Sequence, residues 1–212
     1  MPTLISDKKK YIFIHIPKCA GTSISSYIGN YEKKSYFIKL FNYLLRKTGI
    51  KQKFFFNKYS TNFMFPHFIN DHEKAREIRE IIGKNIYDDY FKFCFVRNPW
   101  ARSVSRYNYF NSISKSKISF KNYLLKDFQP QKERISDSKG NIIVDFIGRY
   151  ENFEDDFKKV LNKINISYKK EKLQHFHKTQ TAKDYKTYYD QECFNIIKNK
   201  YYEDIEFFKY KF

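Results

Sequence analysis

Cysteine is scarce in this chain, and what there is does not pair. Cys19, Cys94 and Cys193 make an odd count of three among 212 residues, with no C-x-x-C spacing. That excludes a disulfide framework and a cysteine-built zinc site, and it fits a reducing compartment. Long apolar runs are missing too. No stretch approaches the roughly 20 apolar residues of a membrane-spanning helix, and the first residues lack the apolar core of a signal peptide. The expectation is a cytoplasmic protein with no resident metal. Acidic residues are in deficit, 23 Asp and Glu against 41 Lys and Arg, for a net charge of +18. Such a surface favours anionic partners: a nucleotide, a sulfated or acidic glycan, nucleic acid, or a membrane touched peripherally. Abundant lysine beside Asn, Ile, Phe and Tyr is also the mark of an AT-rich genome, which discounts the charge as functional evidence. Aromatics reach 20%, but they sit largely in apolar runs such as residues 91–95, where core packing rather than base stacking is expected. No specific nucleic-acid partner follows from them. No internal repeat or interdomain linker is visible, so residues 1–212 are expected to form one domain.

What is present concentrates in residues 11–27. The apolar run 11–16 reads as a buried strand, with His15 a structural member of it. The run breaks at Pro17-Lys18, turns through Ala20-Gly21, and enters a helix at Thr22 and Ser23. Free N–H groups and the dipole at a helix start favour an anion. Lys18 adds a cation, and Thr22 and Ser23 add hydroxyl donors. The plain alternative is an ordinary strand-turn-helix with a surface lysine. The loop is not a Walker A loop, in which lysine directly precedes the hydroxyl residue that holds magnesium. Here the lysine stands three residues before the loop's only glycine. A phosphate site that does not depend on a metal fits better. Cys19 lies in this loop as a small buried filler or a reactive thiol.

The rest of the chain alternates strand and helix signals. Residues 73–83 read as a helix with Ile78, Ile81 and Ile82 on one face, stopped by Gly83. Residues 91–96 read as a second strand ending at Arg97-Asn98-Pro99, where Asn98 caps a helix running to about Phe110 and Pro99 fits its first turn. A turn at 137–141 leads to a third strand at 142–147, a loop at 148–152 and an amphipathic helix at 153–164. Residues 174–183 form a basic, histidine-containing loop, followed by helical segments at 191–200 and 205–209. Residues 31–62 read as irregular helical material, a candidate lid. This order predicts an α/β domain around a mostly parallel sheet. Ligands bind beyond the carboxyl ends of such strands, where the Lys18 loop, Arg97 and Gly148-Arg149 all fall.

Arg97 stands where a strand gives way to a helix, well placed to grip a phosphate. Arg102 lies three residues from Ser105 and four from Arg106, so these share helix faces. The alternative is that Arg97 pairs with a carboxylate while Arg102 and Arg106 are solvated. Together, His15-Ile16-Pro17-Lys18-Cys19-Ala20-Gly21-Thr22-Ser23 and Val96-Arg97-Asn98-Pro99-Trp100, followed by Arg102, Ser105 and Tyr107, resemble the carbohydrate sulfotransferases. The nearest branch contains chondroitin and heparan-sulfate 2-O-sulfotransferase relatives and many bacterial enzymes. Residues 143–152, and Lys183-Asp184-Tyr185 ahead of Tyr188-Tyr189, extend the likeness over residues 10–210. The resemblance implies a P-loop-NTPase-like α/β fold and 3′-phosphoadenosine 5′-phosphosulfate as donor. It places Pro17, Lys18, Cys19, Ala20, Gly21, Thr22 and Ser23 around the 5′-phosphosulfate, and Arg97 and Ser105 on the 3′-phosphate. Arg149 joins the nucleotide side, or with Glu151 orients substrate, or the two simply pair. The implied acceptor is a carbohydrate, possible acidic glycans included, on a cell-surface polysaccharide or glycolipid.

Sulfuryl transfer needs a clamped donor, a stabilised leaving phosphate and a base for the acceptor hydroxyl. Backbone N–H groups and Lys18 meet the first two needs, with Lys18 on the leaving oxygen. Histidine suits the third at neutral pH. His72, directly before the 73–83 helix, is the first choice, because bacterial relatives carry a histidine before a similar stretch. His67, in a Pro-His turn, is the second. His175, His177, Lys178 and Lys183 form a basic cluster that binds an acidic glycan, closes over the nucleotide, or is merely solvated. Gln131 and Lys132 are acceptor-side residues by resemblance. Two rivals remain: a nucleotide kinase, which lacks its Walker lysine here, and a non-catalytic polyanion-binding module, which leaves the two ordered motifs unexplained.

Overall fold

The computed structural model describes residues 3–31, 55–56, 64–65, 73–173 and 185–212. In chain order the strands are β1 (Leu4–Ser6), β2 (Tyr11–Ile14), β3 (Phe55–Phe56), β4 (Met64–Phe65), β5 (Phe91–Val96) and β6 (Phe146–Arg149). The α-helices are α1 (Gly21–Tyr31), α2 (Ala75–Ile82), α3 (Lys84–Asp89), α4 (Pro99–Ile113), α5 (Phe120–Lys126), α6 (Gln131–Arg134), α7 (Phe153–Lys163), α8 (Gln191–Lys200) and α9 (Tyr202–Phe208). Four strands make a mixed sheet in the order β1-β2-β5-β6, and β3 and β4 pair as a separate ribbon. β2 runs parallel to β5 with Phe13 opposite Phe93, and β5 runs parallel to β6 with Phe95 opposite Gly148. β1 is antiparallel to β2.

The alternation of a strand puts the odd-numbered aromatics on one face. There Phe13 stacks on Phe93 at 5.1 Å, and Phe95 meets Phe153 of α7 at 5.3 Å. Tyr27 of α1 meets Phe157 edge-on at 5.2 Å, so α1 and α7 together cover this face. On the other face the buried Lys92 ammonium pairs with Asp145 at 3.0 Å and lies 5.5 Å from the ring of Tyr87 in α3. Helices on both faces let parallel strands bury both sides. Because β2 and β5 run the same way, both release the chain at one edge of the sheet, where α1 and α4 begin. That edge holds both candidate anion motifs.

Several boundaries differ from the sequence pattern. β1 was not expected, since the first strand was read from residue 11. The third strand starts at Phe146 rather than 142, because Ile142 instead bridges Ser136 and the Asp145 carboxylate takes the Lys92 N–H at 2.7 Å. Gly148 and Arg149 belong to that strand and not to a loop. Gly148 is glycine because a Cβ there would lie 2.5 Å from the Phe95 ring. α2 ends at Gly83, whose φ of 87° favours glycine, but a further helix, α3, begins at once. α4 continues to Ile113. Of the candidate lid at 31–62, most lies outside the described residues, and Phe55–Phe56 is strand rather than helical. Among the described residues no helix is long and apolar enough to cross a membrane.

Candidate active site

The first motif leaves β2 through His15 and curls over residues 17–20. Lys18 and Ala20 both have φ of 66°, a left-handed conformation that costs a non-glycine residue about 1 kcal/mol or more. Gly21 follows because nothing larger fits: a Cβ would stand 2.2 Å from Cδ2 and Nε2 of the buried His15 ring. His15 thus shapes the loop from inside, as its place in the strand run anticipates. The Ile24 N–H makes a helical bond to the Ala20 carbonyl at 3.0 Å. The amides before it lack acceptors within the helix, as at any helix start, and such amides suit an anion.

The second motif leaves β5. Asn98 caps α4, accepting the N–H groups of Trp100 at 3.0 Å and Ala101 at 3.3 Å, and Pro99 fills the first helical position. The cap is itself held. Its N–H donates to Glu151 at 2.7 Å and its amide to the Lys211 carbonyl at 2.8 Å, while the Tyr210 hydroxyl donates to the other Glu151 oxygen at 3.2 Å. Behind the cap, Trp100 stacks on Phe194 at 5.6 Å and meets Phe212 edge-on at 5.5 Å.

The two motifs touch. Arg97 donates from Nη1 to the Lys18 carbonyl at 3.4 Å, and its guanidinium lies 4.1 Å from the centre of the Tyr150 ring. Lys18 Nζ sits 4.6 Å from the centre of the exposed Tyr109 ring. Arg102, 1% exposed, donates to the Pro17 carbonyl at 3.0 Å and to the Gln129 carbonyl at 2.8 Å, so it buckles α4 to the first loop. Arg106 is paired with Asp127 through bonds of 3.0 and 2.7 Å. Among the described residues no carboxylate forms an ion pair with Lys18, Arg97 or Arg102, and the buried Arg97 Nε and Arg102 Nη2 have no hydrogen-bond partner. Burial, followed by the charges of Arg97 and Arg106, pushes the Lys18 ammonium below the usual lysine range. Partly buried cations without a paired carboxylate are costly unless an anion joins them.

A family model described as the sulfotransferase family matches residues 1–211. The chain belongs to the sulfotransferase family. An uncharacterized protein of Archaeoglobus fulgidus is 40% identical over an alignment of 97 residues that covers 42% of this chain and 79% of that protein. No solved structure matches. Membership implies an enzyme that transfers sulfuryl groups.

In this sulfotransferase the Lys18 loop and Arg97 come together as the spacing led one to expect, and Ser105 lies half-buried on α4. Thr22 is half-buried and Ser23 is buried at the start of α1. Cys19 is the buried filler: its thiol donates to the Pro17 carbonyl at 3.6 Å and to Gln131 Oε1 at 3.4 Å, and burial pushes its pKa up to about 11. The alternative of two solvated arginines does not hold: Arg102 is buried on two carbonyls, and Arg106 is half-buried and paired with Asp127. Arg149, expected on the nucleotide side, packs at the C-terminal segment. It donates to the Phe208 carbonyl at 2.6 Å and lies 5.0 Å from the centre of the Tyr210 ring. Glu151 does not pair with it but holds Asn98 and Tyr210. Gln131, expected on the acceptor side, has no exposed surface, and Lys132 pairs with Glu203 at 3.2 Å. His67, His72, His175, His177, Lys178 and Lys183 lie outside the described residues. Among the described residues no group of three or more His, Cys, Asp or Glu could hold a metal ion.

Proposed function

We propose that this sulfotransferase takes its sulfuryl group from 3′-phosphoadenosine 5′-phosphosulfate. It delivers the group to a carbohydrate hydroxyl, on a cell-surface polysaccharide or glycolipid, by in-line transfer without a metal. The observation that carries the reading is the contact of the Arg97 guanidinium with the backbone carbonyl of Lys18, with the buried Arg102 behind the loop and no carboxylate in an ion pair with Lys18, Arg97 or Arg102 among the described residues. The orphaned Arg97 Nε and the amides opening α1 are a donor set of the kind that a ligand with two anionic ends requires. Parallel strands feeding a tight loop and a helix support a P-loop-NTPase-like assignment.

When bound, the donor supplies a sulfuryl group on a phosphate leaving group. The chain's residues then divide the work. Lys18 holds the charge that grows on the leaving oxygen. The first amides of α1, with the hydroxyls of Thr22 and Ser23, hold the 5′-phosphate. Arg97 and Ser105 hold the 3′-phosphate. His72, with His67 as second choice, takes the acceptor proton, a role that rests on sequence position. Loss of one preorganised donor of this kind costs about 100- to 1000-fold in rate.

The test is stabilisation by adenosine 3′,5′-bisphosphate in thermal unfolding, with and without magnesium, followed by donor and a glycan panel read by mass spectrometry. A magnesium-independent rise in Tm that is lost in Lys18→Ala and Arg97→Ala supports the site. An equal rise in both variants defeats the assignment. No rise at all, together with salt-sensitive DNA binding, replaces the enzyme reading with a polyanion-binding module.

A further inference from the structure

Gln131 opens α6 at 0% exposure, and its carboxamide is fully engaged. Oε1 accepts the Arg97 N–H at 2.9 Å and the Cys19 thiol at 3.4 Å, while Nε2 donates to the Arg97 carbonyl at 2.8 Å. One side chain therefore closes a ring with both backbone groups of the residue that follows β5. The same side chain reaches the loop that follows β2. Asp204 of α9, also 0% exposed, fixes it from behind. The Asp204 carboxylate accepts the Gln131 N–H at 3.0 and 2.7 Å and the Lys132 N–H at 2.8 Å. Neither residue presents a polar atom to a ligand.

We infer that Gln131, held by Asp204, is a positioning residue that sets the spacing between the Lys18 loop and Arg97. It thereby matches the site to a ligand whose two anionic groups are a fixed distance apart. This rests on the donor reading above. Arg97 reaches the Lys18 carbonyl through a flexible side chain at 3.4 Å, and Arg102 holds the Pro17 carbonyl from α4; the Gln131 amide fixes both backbone groups of Arg97 and meets the first loop at the buried Cys19 thiol. Without it, each loop still grips one phosphate and Arg102 still holds the first loop, but Arg97 loses the backbone bonds that fix its place relative to that loop. Simultaneous binding loses its advantage when reacting or binding groups drift by about 1 Å.

The test measures, by calorimetry, the affinities of adenosine 3′,5′-bisphosphate and adenosine 5′-phosphate for the wild type, Gln131→Met and Asp204→Asn. Their ratio is the readout. The wild type prefers the bisphosphate. In both variants that preference falls by at least about tenfold, while affinity for the 5′-phosphate stays near the wild-type value. A merely structural role lowers both affinities together and leaves the ratio intact, which overturns the inference alone. A wild type without preference for the bisphosphate overturns the donor reading, and the inference with it. If Gln131→Met does not fold, Asp204→Asn, which leaves the Gln131 side chain in place, decides by the same ratio.

Discussion

Gly21→Ala tests the loop more sharply than removal of any charged residue. The added Cβ would stand 2.2 Å from two atoms of the His15 ring, and ordinary contact begins near 3.4 Å. Relief requires a displacement of about 1.2 Å, the difference between those distances, either of the ring or of the first turn of α1. The ring cannot yield cheaply, because His15 is 5% exposed and packs 6.0 Å from Phe13. Overpacking of this kind costs about 1–3 kcal/mol, which for a chain of this size lowers Tm by about 2–12 °C. If the turn moves instead, misplacement by about 1 Å at the anion loop costs about 100-fold in turnover. The assay is a double-mutant cycle with His15→Ala, read by thermal unfolding and by bisphosphate affinity. The clash predicts that Gly21→Ala is far less harmful in the His15→Ala background, with a coupling of about 1–3 kcal/mol. Additive effects, or a Gly21→Ala variant with wild-type Tm and affinity, would refute the reasoning.

Three further outcomes follow from other parts of the site. Arg102→Lys keeps the charge, but an ammonium cannot bridge the Pro17 and Gln129 carbonyls as the guanidinium fork does, so chemical denaturation should show a loss of about 1–3 kcal/mol. Cys19, with its thiol buried and raised to about 11, should resist alkylation at pH 8 in the native protein and react only after unfolding, as mass spectrometry would record. Anion binding draws the lowered Lys18 pKa back up, so bisphosphate affinity should be full at neutral pH and decline as pH rises through the lowered value toward the ordinary lysine range. In titrations from pH 7 upward, Lys18→Met should remove that decline; a wild type and variant with the same profile would disprove the linkage.

The parts of this fold that are legible in the sequence are those written locally. The apolar runs of β2 and β5, the Asn98-Pro99 helix start, the Gly83 stop and the amphipathic α7 each carry their signal within a few residues. Their placement at one sheet edge follows from parallel topology, so Lys18 and Arg97 could be paired before any coordinates. What escaped notice depends on distant partners. Arg102 looks like any helical arginine until the Pro17 carbonyl, 85 residues earlier, takes its Nε–H. Gln131 stands as an acceptor-side residue by resemblance, and nothing local shows its burial because Asp204, which fixes it, comes 73 residues later. The β6 boundary moved because Asp145 serves the Lys92 N–H, a pairing that no periodicity reveals. Arg149 and Glu151, adjacent enough to suggest a pair, were claimed separately by the Phe208 carbonyl and by the Asn98 cap.

Trp100 is the chain's single tryptophan, and it stands three residues after Arg97, on the first turn of the anion helix. Its indole is 3% exposed and its N–H has no acceptor among the described residues. Optically, the protein therefore carries one reporter, dry and stacked, at the base of the proposed phosphate grip. Emission from that indole should lie toward the blue in the native state and respond when Arg97 and the Asn98 cap are loaded. A shift to the red would mark the aromatic cluster of Phe194 and Phe212 coming apart, so site occupancy and site integrity can be followed in one cuvette without a label.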